Sequence, residues 1–412
     1  MKAYYDYIVV GAGISGLYAT RELLKRHPTC SIALAERYKG LGGRTYSYTH
    51  DSHTWEMGAG RIHKTHTHTL GLLREYGLTW IPIGESIFYK EAGKESIPNP
   101  FEAISHIYIE PLKALNSIEN HTIESLMKSV YGTVKTKEIL SYFPYRAEVT
   151  TMRADLALKT FFGGEMSSHK GYGVIKEGFS ELVRRMRDDI EQRCGIILPR
   201  HRLQTFTNAG KDIDCTFVFG YPDAEHGKIV LRANKVILAL HKDAVAELEP
   251  FHTWPLLKHL ETKPLLRIYG VFDKPWFKDI GRTVTPGPLR YIIPISDKVI
   301  MLSYTDADDT TKFMKMSDAT LEGVIMKEMG KLFPGHDIPA PTFFKAHPWT
   351  TGATYWLPGN YSPEALSKQA IHPLSKFPAV WLCGESWSLR QAWVEGALEH
   401  TILCLNDIER KR

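Results

Sequence analysis

Residues 5–27 read YDYIVVGAGISGLYATRELLKRH, and this stretch decides the fold class. The aromatic and β-branched run at 5–10 is typical of a buried parallel strand. Apolar side chains recur at helical spacing over 15–27, so a helix is predicted there. A second strand is predicted at 31–37, which completes a β-α-β unit at the start of an α/β protein.

The turn inside this unit carries the GxGxxG pattern at Gly11, Gly13 and Gly16. The first glycine permits a tight turn, the second lets the backbone approach a pyrophosphate, and the third lets helix and strand pack closely. Glu36 lies twenty residues after Gly16, where a carboxylate accepts hydrogen bonds from a ribose diol. The pattern therefore predicts a dinucleotide, held at the helix N-terminus by Ile14, Ser15 and their glycine neighbours.

Composition excludes several other classes of protein. The 412 residues exceed one compact core, so two lobes are predicted. A net charge of +5 with both signs mixed along the chain argues against nucleic-acid binding. The five cysteines form no CxxC pair, which argues against a zinc site or a disulfide framework. No signal peptide and no membrane-length apolar run is recognised, so a cytoplasmic protein is expected.

The order of predicted elements suggests a divided chain. An amphipathic helix is predicted at 178–195, hairpin strands at 204–240, alternating strands at 264–305 and a helix at 317–332. Dinucleotide-type elements recur at the start, middle and end. We therefore expect a discontinuous cofactor domain and an inserted mixed-sheet, helix-flanked substrate domain. The predicted cofactor domain covers 1–75, 171–248 and 372–412, and the substrate domain covers 76–170 and 249–371.

Four motifs in order resemble the FAD-dependent amine oxidase family, which contains monoamine, polyamine and L-amino acid oxidases. They are VVGAGISGL at 9–17, Glu36-Arg37, LGGRT at 41–45 and CGESWSLRQAWVEGALEH at 383–400. The resemblance covers both ends of the chain strongly and the middle weakly. It implies a Rossmann-like FAD-binding domain, and it identifies the dinucleotide as FAD.

The resemblance also implies which residues touch FAD. Gly42, Gly43 and Arg44 match a second glycine motif at the diphosphate, where a guanidinium is a suitable partner; a solvated loop arginine is the alternative. The remaining implied contacts are Arg37, Gly58, Ala59, Gly60, Leu203 near the adenine, Gly384, Glu385 near the ribityl chain, and Ala392, Trp393 and Val394, where the last helix begins near the flavin pyrimidine ring.

Other matched positions concern the substrate. Trp393 matches an aromatic wall beside the substrate nitrogen, although a core tryptophan is the alternative. The segment 347–359 resembles one beside the flavin, so Trp349 and Tyr355 or Trp356 are candidates to line the cavity. Monoamine oxidases carry a flavin-linking cysteine in this segment. None occurs here, so noncovalent FAD is predicted.

One position departs from the family pattern. Arg267 replaces a lysine that typically holds a water near the flavin N5 atom, and Lys263 lies four residues earlier on the same face of a predicted strand. Either residue is a candidate for that catalytic role. The departure puts fast reaction with oxygen, the expected electron acceptor, in question.

The stretch MGAGRIHKTH at 57–66 resembles the L-amino acid oxidase form, in which an arginine grips the substrate carboxylate. Arg61 is the matching residue; the alternative is that it binds FAD or a nearby carboxylate such as Glu56. The histidines His63, His66 and His68 suit a metal poorly, so no metal is predicted. His63 is expected to face the cavity because it lies two residues from Arg61.

These observations predict an enzyme that oxidises the amine of a small substrate to an imine, yielding a carbonyl compound, ammonia and hydrogen peroxide. An L-amino acid is slightly favoured over a carboxylate-free amine. A desaturase or porphyrinogen-type oxidase of the same superfamily is a second possibility. A non-redox flavoprotein on the same fold is a third.

Overall fold

The computed structural model describes residues 3–163, 166, 170–220, 222 and 226–411. Its strands are β1 (Tyr4–Val10), β2 (Ile32–Ala35), β3 (Ser47–His50), β4 (His53–Glu56), β5 (Ile62–His63), β6 (Trp80–Pro82), β7 (Ile87–Tyr89), β8 (Ile97–Pro98), β9 (Tyr172–Ile175), β10 (Ile196–Leu198), β11 (His201–Ala209), β12 (Asp212–Phe219), β13 (Gly227–Leu238), β14 (Leu260–Val271), β15 (Arg282–Val284), β16 (Tyr291–Pro294), β17 (Val299–Asp306), β18 (Phe343–Trp356) and β19 (Val380–Leu382).

The helices flank these strands. They are α1 (Ile14–Arg26), α2 (Thr67–Glu75), α3 (Phe101–Tyr108), α4 (Ile123–Ser141), α5 (Ala147–Thr150), α6 (Ala154–Gly163), α7 (Phe179–Gln192), α8 (Lys242–Ala246), α9 (Thr311–Met314), α10 (Asp318–Leu332), α11 (Pro363–Ile371) and α12 (Val394–Arg410). Helix α4 is interrupted at Gly132, whose φ of 77° is not helical. Among the described residues, no helix combines the length and apolar character needed to cross a membrane.

The first large sheet has the strand order β10-β2-β1-β13-β12-β11, and β19 also pairs with β13. Strands β10, β2, β1, β13 and β19 run parallel, whereas β11 and β12 add an antiparallel edge. The central strand β1 is buried from Ile8 to Val10 because it lies between two neighbours and under helices. Helix α1 packs on this sheet beside α7 and α12. The predicted β-α-β unit is therefore present.

The second large sheet has the order β18-β14-β17-β16-β15-β7-β8 and is mixed, since β7 and β15 run parallel and the other pairs antiparallel. Helix α10 covers this sheet, and Ile325 and Met329 are buried in their shared core. A smaller sheet, β5-β9-β6, lies apart from both. The α/β prediction with a Rossmann-like sheet and a second mixed sheet is confirmed.

The two large sheets draw on separate parts of the chain. Strands of the first sheet lie within 1–75, 171–248 and 372–412, and strands of the second lie within 76–170 and 249–371. The small sheet crosses this division, because β6 pairs with β9. The domain boundaries stay a prediction. Parts of these ranges lie outside the described residues, namely 1, 2, 164, 165, 167–169, 221, 223–225 and 412.

A bulge in the second sheet shapes the site. Lys263 pairs with Ala353 and Leu265 pairs with Trp349, so β18 contributes two more residues than β14 between these pairs. A Cβ at Gly352 would lie 2.8 Å from the Lys263 carbonyl oxygen and 2.9 Å from the Leu265 nitrogen. Glycine is needed there because the two backbones approach too closely for a side chain.

Candidate active site

A cavity of about 720 Å³ is lined by residues from both large sheets, a size typical of small-molecule sites. One end is bordered by the glycine turn before α1 and by the residues that follow β2. The other end is bordered by β14, β17, β18 and the start of α12. Motifs that lie far apart in the sequence therefore line the same cavity.

The glycine turn leaves the space that a dinucleotide needs. Gly11 has a φ of 95°, and a Cβ there would lie 2.5 Å from the Ala239 carbonyl oxygen. A Cβ at Gly16 would lie 1.8 Å from the Gly11 carbonyl oxygen. Only glycine tolerates these approaches, so α1 begins close against β1. Gly13, Ile14 and Ser15 line the cavity at the N-terminus of that helix.

Glu36 lies after β2 and lines the cavity. Its carboxylate accepts hydrogen bonds from the backbone N–H of Ala12 at 2.8 Å and of Tyr38 at 3.0 Å. Burial raises the pKa of Glu36, and these N–H donors oppose the rise. Arg37 and Leu203 line the same end, and Leu203 is buried on β11. This arrangement suits the ribose and adenine of a dinucleotide.

Two motifs from opposite ends of the chain form an ion pair in the cavity wall. Arg44 lies 2.9 Å from Glu385 and also donates to the Gly352 carbonyl oxygen at 2.9 Å. The other Glu385 oxygen accepts from the backbone N–H of Ala392 at 2.8 Å and of Thr354 at 3.2 Å. Arg44 is therefore anchored and is not a freely solvated loop arginine. Gly42, Gly43, Gly384, Ala392 and Val394 line the cavity around this pair.

The segment Gly58-Ala59-Gly60 passes along the cavity between the two sheets. A Cβ at Gly58 would lie 2.2 Å from the Arg44 carbonyl oxygen, and one at Gly60 would lie 2.8 Å from the Arg267 guanidinium. The backbone itself therefore forms this wall. Together with the glycine turn and Glu36, the wall makes a cradle that fits an extended dinucleotide.

A family model described as flavin containing amine oxidoreductase matches residues 14–404. The chain belongs to this family. The family implies a flavin cofactor, FAD, and the resemblance inferred from the sequence motifs is confirmed. In this flavin amine oxidoreductase, the glycine turn, Glu36, the Arg44–Glu385 pair and the Gly58–Gly60 segment are the parts that would hold FAD.

Solved structures share the fold at low sequence identity. Wild-type putrescine oxidase bound to putrescine aligns with a TM-score of 0.77 at 15% identity and covers 99% of both chains. A protein from Exiguobacterium sp. 255-15, titled a "putative protoporphyrinogen oxidase", aligns with a TM-score of 0.76 at 16% identity and covers 100% of both chains. At such identities these neighbours establish the fold of the amine oxidoreductase alone.

Arg61 borders the substrate end of the cavity of this amine oxidoreductase. Its guanidinium donates a hydrogen bond to the Tyr145 hydroxyl and lies over the rings of Tyr145 and Tyr172, 5.2 and 5.3 Å from their centroids. In the described part of the chain, no carboxylate lies within 4 Å of it. Glu56, the alternative partner, instead accepts from the Phe179 N–H and the Ser47 hydroxyl.

Trp393 lines the cavity at the start of α12. Its ring stacks on Tyr172, with centroids 6.0 Å apart and planes 18° apart, and His66 meets it edge-on at 5.1 Å. The indole also packs against the hydrophobic core, and its place beside the substrate nitrogen stays a prediction.

His63 does not face the cavity, contrary to expectation. It is buried in β5, where its ring nitrogens bond Thr65 Oγ1 at 2.8 Å and the Lys170 carbonyl oxygen at 3.0 Å. Two residues that are two positions apart point to the same side only when both belong to a strand. Arg61 lies before β5, so the direction of its side chain does not predict that of His63. No group of three His, Cys, Asp or Glu side chains suited to a metal occurs among the described residues.

On β18, Trp349 and Tyr355 line the cavity, whereas Trp356 lies in the core. The Trp349 indole donates to the Met57 carbonyl oxygen at 2.8 Å, and the fully buried Trp356 indole donates to the Ser388 carbonyl oxygen at 2.9 Å. The cause is strand alternation, because neighbouring residues point to opposite faces. Trp356 is therefore corrected from a candidate substrate contact to a core residue.

Lys263 and Arg267 both line the cavity from β14. The Lys263 ammonium pairs with Glu261 at 2.6 Å. The Arg267 guanidinium donates to the Glu56 carbonyl oxygen at 3.4 Å and lies over the Tyr304 ring, 5.6 Å from its centroid. The structure thus places both candidates for the family's lysine role beside the same space.

Sequence reasoning missed two acids and two tyrosines at the substrate end. Glu148, Asp306, Tyr145 and Tyr304 all line the cavity. Asp306 ends β17 and Glu148 lies in the short helix α5, so no motif or regular spacing joins them. Only the position of Asp306 at the end of a predicted strand offered a signal, since polar residues at strand ends often serve function.

Proposed function

We propose that this chain oxidises an L-α-amino acid to its imine, which water hydrolyses to a keto acid and ammonia. The single observation that carries the proposal is the Arg61 guanidinium, which borders the cavity without a carboxylate partner within 4 Å in the described part of the chain. Arg61 is half-buried, and a partly desolvated cation without a nearby counter-ion is costly, so a ligand carboxylate is its natural complement.

The surroundings of Arg61 favour this role. Tyr145 and Tyr172 hold the guanidinium by a hydrogen bond and by two ring faces, which fix its direction without neutralising it. A fixed planar fork binds a carboxylate through two parallel hydrogen bonds. Trp393 stacks on Tyr172, so the ring that supports Arg61 is itself braced by a residue that lines the cavity. The substrate would be held by its carboxylate beside that wall.

FAD, when bound, supplies the chemistry by accepting the two electrons and the Cα hydrogen of the amine. The protein's task is to orient a neutral amine and to exclude water from it. We assign the orientation to Arg61, with Trp349, Tyr355 and Trp393 as the walls. Oxygen is proposed as the final acceptor, which gives hydrogen peroxide, with Arg267 or Lys263 in the place of the family's lysine.

Noncovalent attachment of FAD is part of the proposal. The segment 347–359 contains no cysteine, and Cys383, the nearest in sequence, is buried beside the core of α12. Acid precipitation should therefore release all of the flavin into the supernatant. Flavin that remained with the pellet would contradict this.

The test of function is anaerobic mixing of the purified flavoprotein with panels of L-amino acids and of simple amines, followed by the loss of flavin absorbance. Bleaching by amino acids that is lost in Arg61→Ala and partly kept in Arg61→Lys supports the proposal. The matched control is Arg232→Ala, which removes an exposed arginine that pairs with Asp214 and lies outside the cavity lining. Bleaching by carboxylate-free amines alone would overturn it and favour a monoamine or polyamine oxidase.

A further inference from the structure

Two carboxylates line the substrate end of the cavity and are almost completely buried. Glu148 is 6% exposed and Asp306 is 4% exposed. One Asp306 oxygen, Oδ1, accepts from the backbone N–H of Arg146 at 2.7 Å and of Ala147 at 3.2 Å. One Glu148 oxygen, Oε1, accepts from the Tyr355 hydroxyl at 3.4 Å. These bonds fix both side chains in place.

The second oxygen of each carboxylate has no hydrogen-bond partner. Glu148 Oε2 and Asp306 Oδ2 are both buried and unsatisfied among the described residues. No described lysine, arginine or histidine lies within 4 Å of either carboxylate, although Arg290, Arg146 and Arg61 lie in the wider surroundings. A buried acceptor left unsatisfied costs free energy, so it marks a place where a ligand completes the site.

The electrostatics of the pair point the same way. Burial and the neighbouring Asp306 carboxylate raise the pKa of Glu148 to about 8. Burial raises the pKa of Asp306 to about 6, against the two backbone N–H donors. Burial is the larger cause of both shifts, and a cation placed between the two carboxylates would lower both pKa values because it favours both ionised forms.

We propose that Glu148 and Asp306 form a subsite for a cationic group on the substrate, an ammonium or a guanidinium remote from the amine that is oxidised. The inference rests on the proposed function and adds a substrate class to it. With the carboxylate on Arg61, the substrate would be an L-α-amino acid with a basic side chain. The pair would then determine specificity without taking part in the oxidation.

The cation belongs at the far end of the substrate for a chemical reason. The reacting nitrogen must be neutral to be oxidised, and two carboxylates beside it would hold it protonated. The subsite also lies close to Arg61. Tyr145, which bonds Arg61, packs against Tyr304 with centroids 5.4 Å apart, and Asp306 binds the N–H groups just after Tyr145. One amino acid can therefore reach both charges.

The experiment compares ligands that differ by one charge. L-lysine is paired with L-norleucine, which keeps the carbon chain but lacks the ε-ammonium, and L-arginine with L-citrulline, which keeps the length but is neutral. Cadaverine and pentylamine repeat the first pair without the carboxylate. Anaerobic stopped-flow reduction of the holoenzyme gives Kd and the limiting reduction rate for each compound.

We expect at least one basic amino acid to bind about tenfold or more tighter than its neutral partner, as one desolvated charged hydrogen bond allows. Glu148→Gln and Asp306→Asn keep the accepting oxygens that Tyr355, Arg146 and Ala147 use. Each variant should raise the Kd of the basic amino acid about tenfold or more and leave its limiting rate and the neutral partner's Kd unchanged. The matched control is Asp214→Asn, which changes an acid paired with Arg232 and outside the cavity lining.

Several outcomes would overturn the inference. Equal affinity of wild type for basic and neutral partners would do so without any variant. Equal weakening of both partners in Glu148→Gln would assign the pair to the reacting amine or to structure. If cadaverine is preferred over pentylamine but the carboxylate brings no gain, the role of Arg61 fails while the cationic subsite stands. If norleucine and lysine bind and reduce the enzyme equally well, the cationic subsite fails while the role of Arg61 stands.

Discussion

Arg44 and Glu385 lie 341 positions apart in the chain and form an ion pair of 2.9 Å in the wall of the cavity. Glu385 is 7% exposed and also accepts two backbone hydrogen bonds, from Thr354 and Ala392. The pair therefore joins the second glycine motif, strand β18 and the turn before α12. The second glycine motif and the C-terminal motif therefore hold each other in position.

Arg44→Ala should weaken both FAD binding and folding. The variant leaves the Glu385 carboxylate with its N–H donors but without a cation, a loss of about 2 kcal/mol in the free energy of unfolding. Urea unfolding of the apoprotein and the fraction of FAD retained on gel filtration measure the two effects. Arg184→Ala, which breaks exposed pairs with Glu181 and Asp188, should change stability by less than about 1 kcal/mol. Equal effects of the two variants would contradict the prediction.

Gly16→Ala should prevent close packing of α1 on β1. The new Cβ would lie 1.8 Å from the Gly11 carbonyl oxygen, so the helix must move and carry the glycine turn with it. We expect a loss of about 3 kcal/mol in stability and protein purified without flavin. Gly40→Ala is the matched control, because its nearest neighbouring atom would be 3.9 Å away. Yellow, stable Gly16→Ala protein would show that the turn is less constrained than described.

Arg267→Lys should speed the reaction of the reduced enzyme with oxygen. The guanidinium is held against the Glu56 carbonyl oxygen and the Tyr304 ring, whereas an ammonium is compact and more strongly hydrated. We expect reoxidation to quicken about tenfold, about 1.4 kcal/mol in the barrier, with anaerobic reduction unchanged. Mixing reduced enzyme with oxygenated buffer measures this. If Lys263→Met slows reoxidation and Arg267→Lys has no effect, Lys263 serves instead.

Glu56 should make the apoprotein less stable as the pH rises. Burial raises the pKa of Glu56 to about 7 from a usual 4.5, against donors from Phe179, Ser47 and the Arg267 charge. Between these values the unfolded chain loses the proton and the folded chain keeps it. The free energy of unfolding therefore falls with pH across this window, by about 3 kcal/mol in total.

Glu56→Gln tests this dependence, because the amide cannot ionise and keeps one accepting oxygen. Urea unfolding at intervals from pH 4 to 8 should show that the free energy of unfolding of the variant increases relative to that of the wild type as the pH rises. The difference should be constant below the usual pKa and above the raised one. A difference in the free energy of unfolding that does not vary with pH would show that Glu56 does not cause the pH dependence.

Local motifs allowed much of the cofactor region to be predicted. The turn at Gly11–Gly16 and Glu36 belongs to one short β-α-β unit, and such a unit sets its own geometry. The prediction that Trp356 lines the cavity is wrong. Side chains alternate between the two faces of β18, so only one of the neighbours Tyr355 and Trp356 can face the cavity. Glu148 and Asp306 could not be paired from sequence, because a helix of four residues and the end of a distant strand meet only through tertiary packing.

The return of β19 to the first sheet determines when the site can exist during synthesis. Strands β1 and β2 are made early and β13 near the middle of the chain, but β19 pairs with β13, and Glu385 pairs with Arg44, only after more than 380 residues have been translated. A nascent chain has the glycine turn long before it has the wall that faces it. We therefore expect stable loading of the cofactor to be a late event and final closure, which depends on contacts across so many residues, to be a slow step of folding.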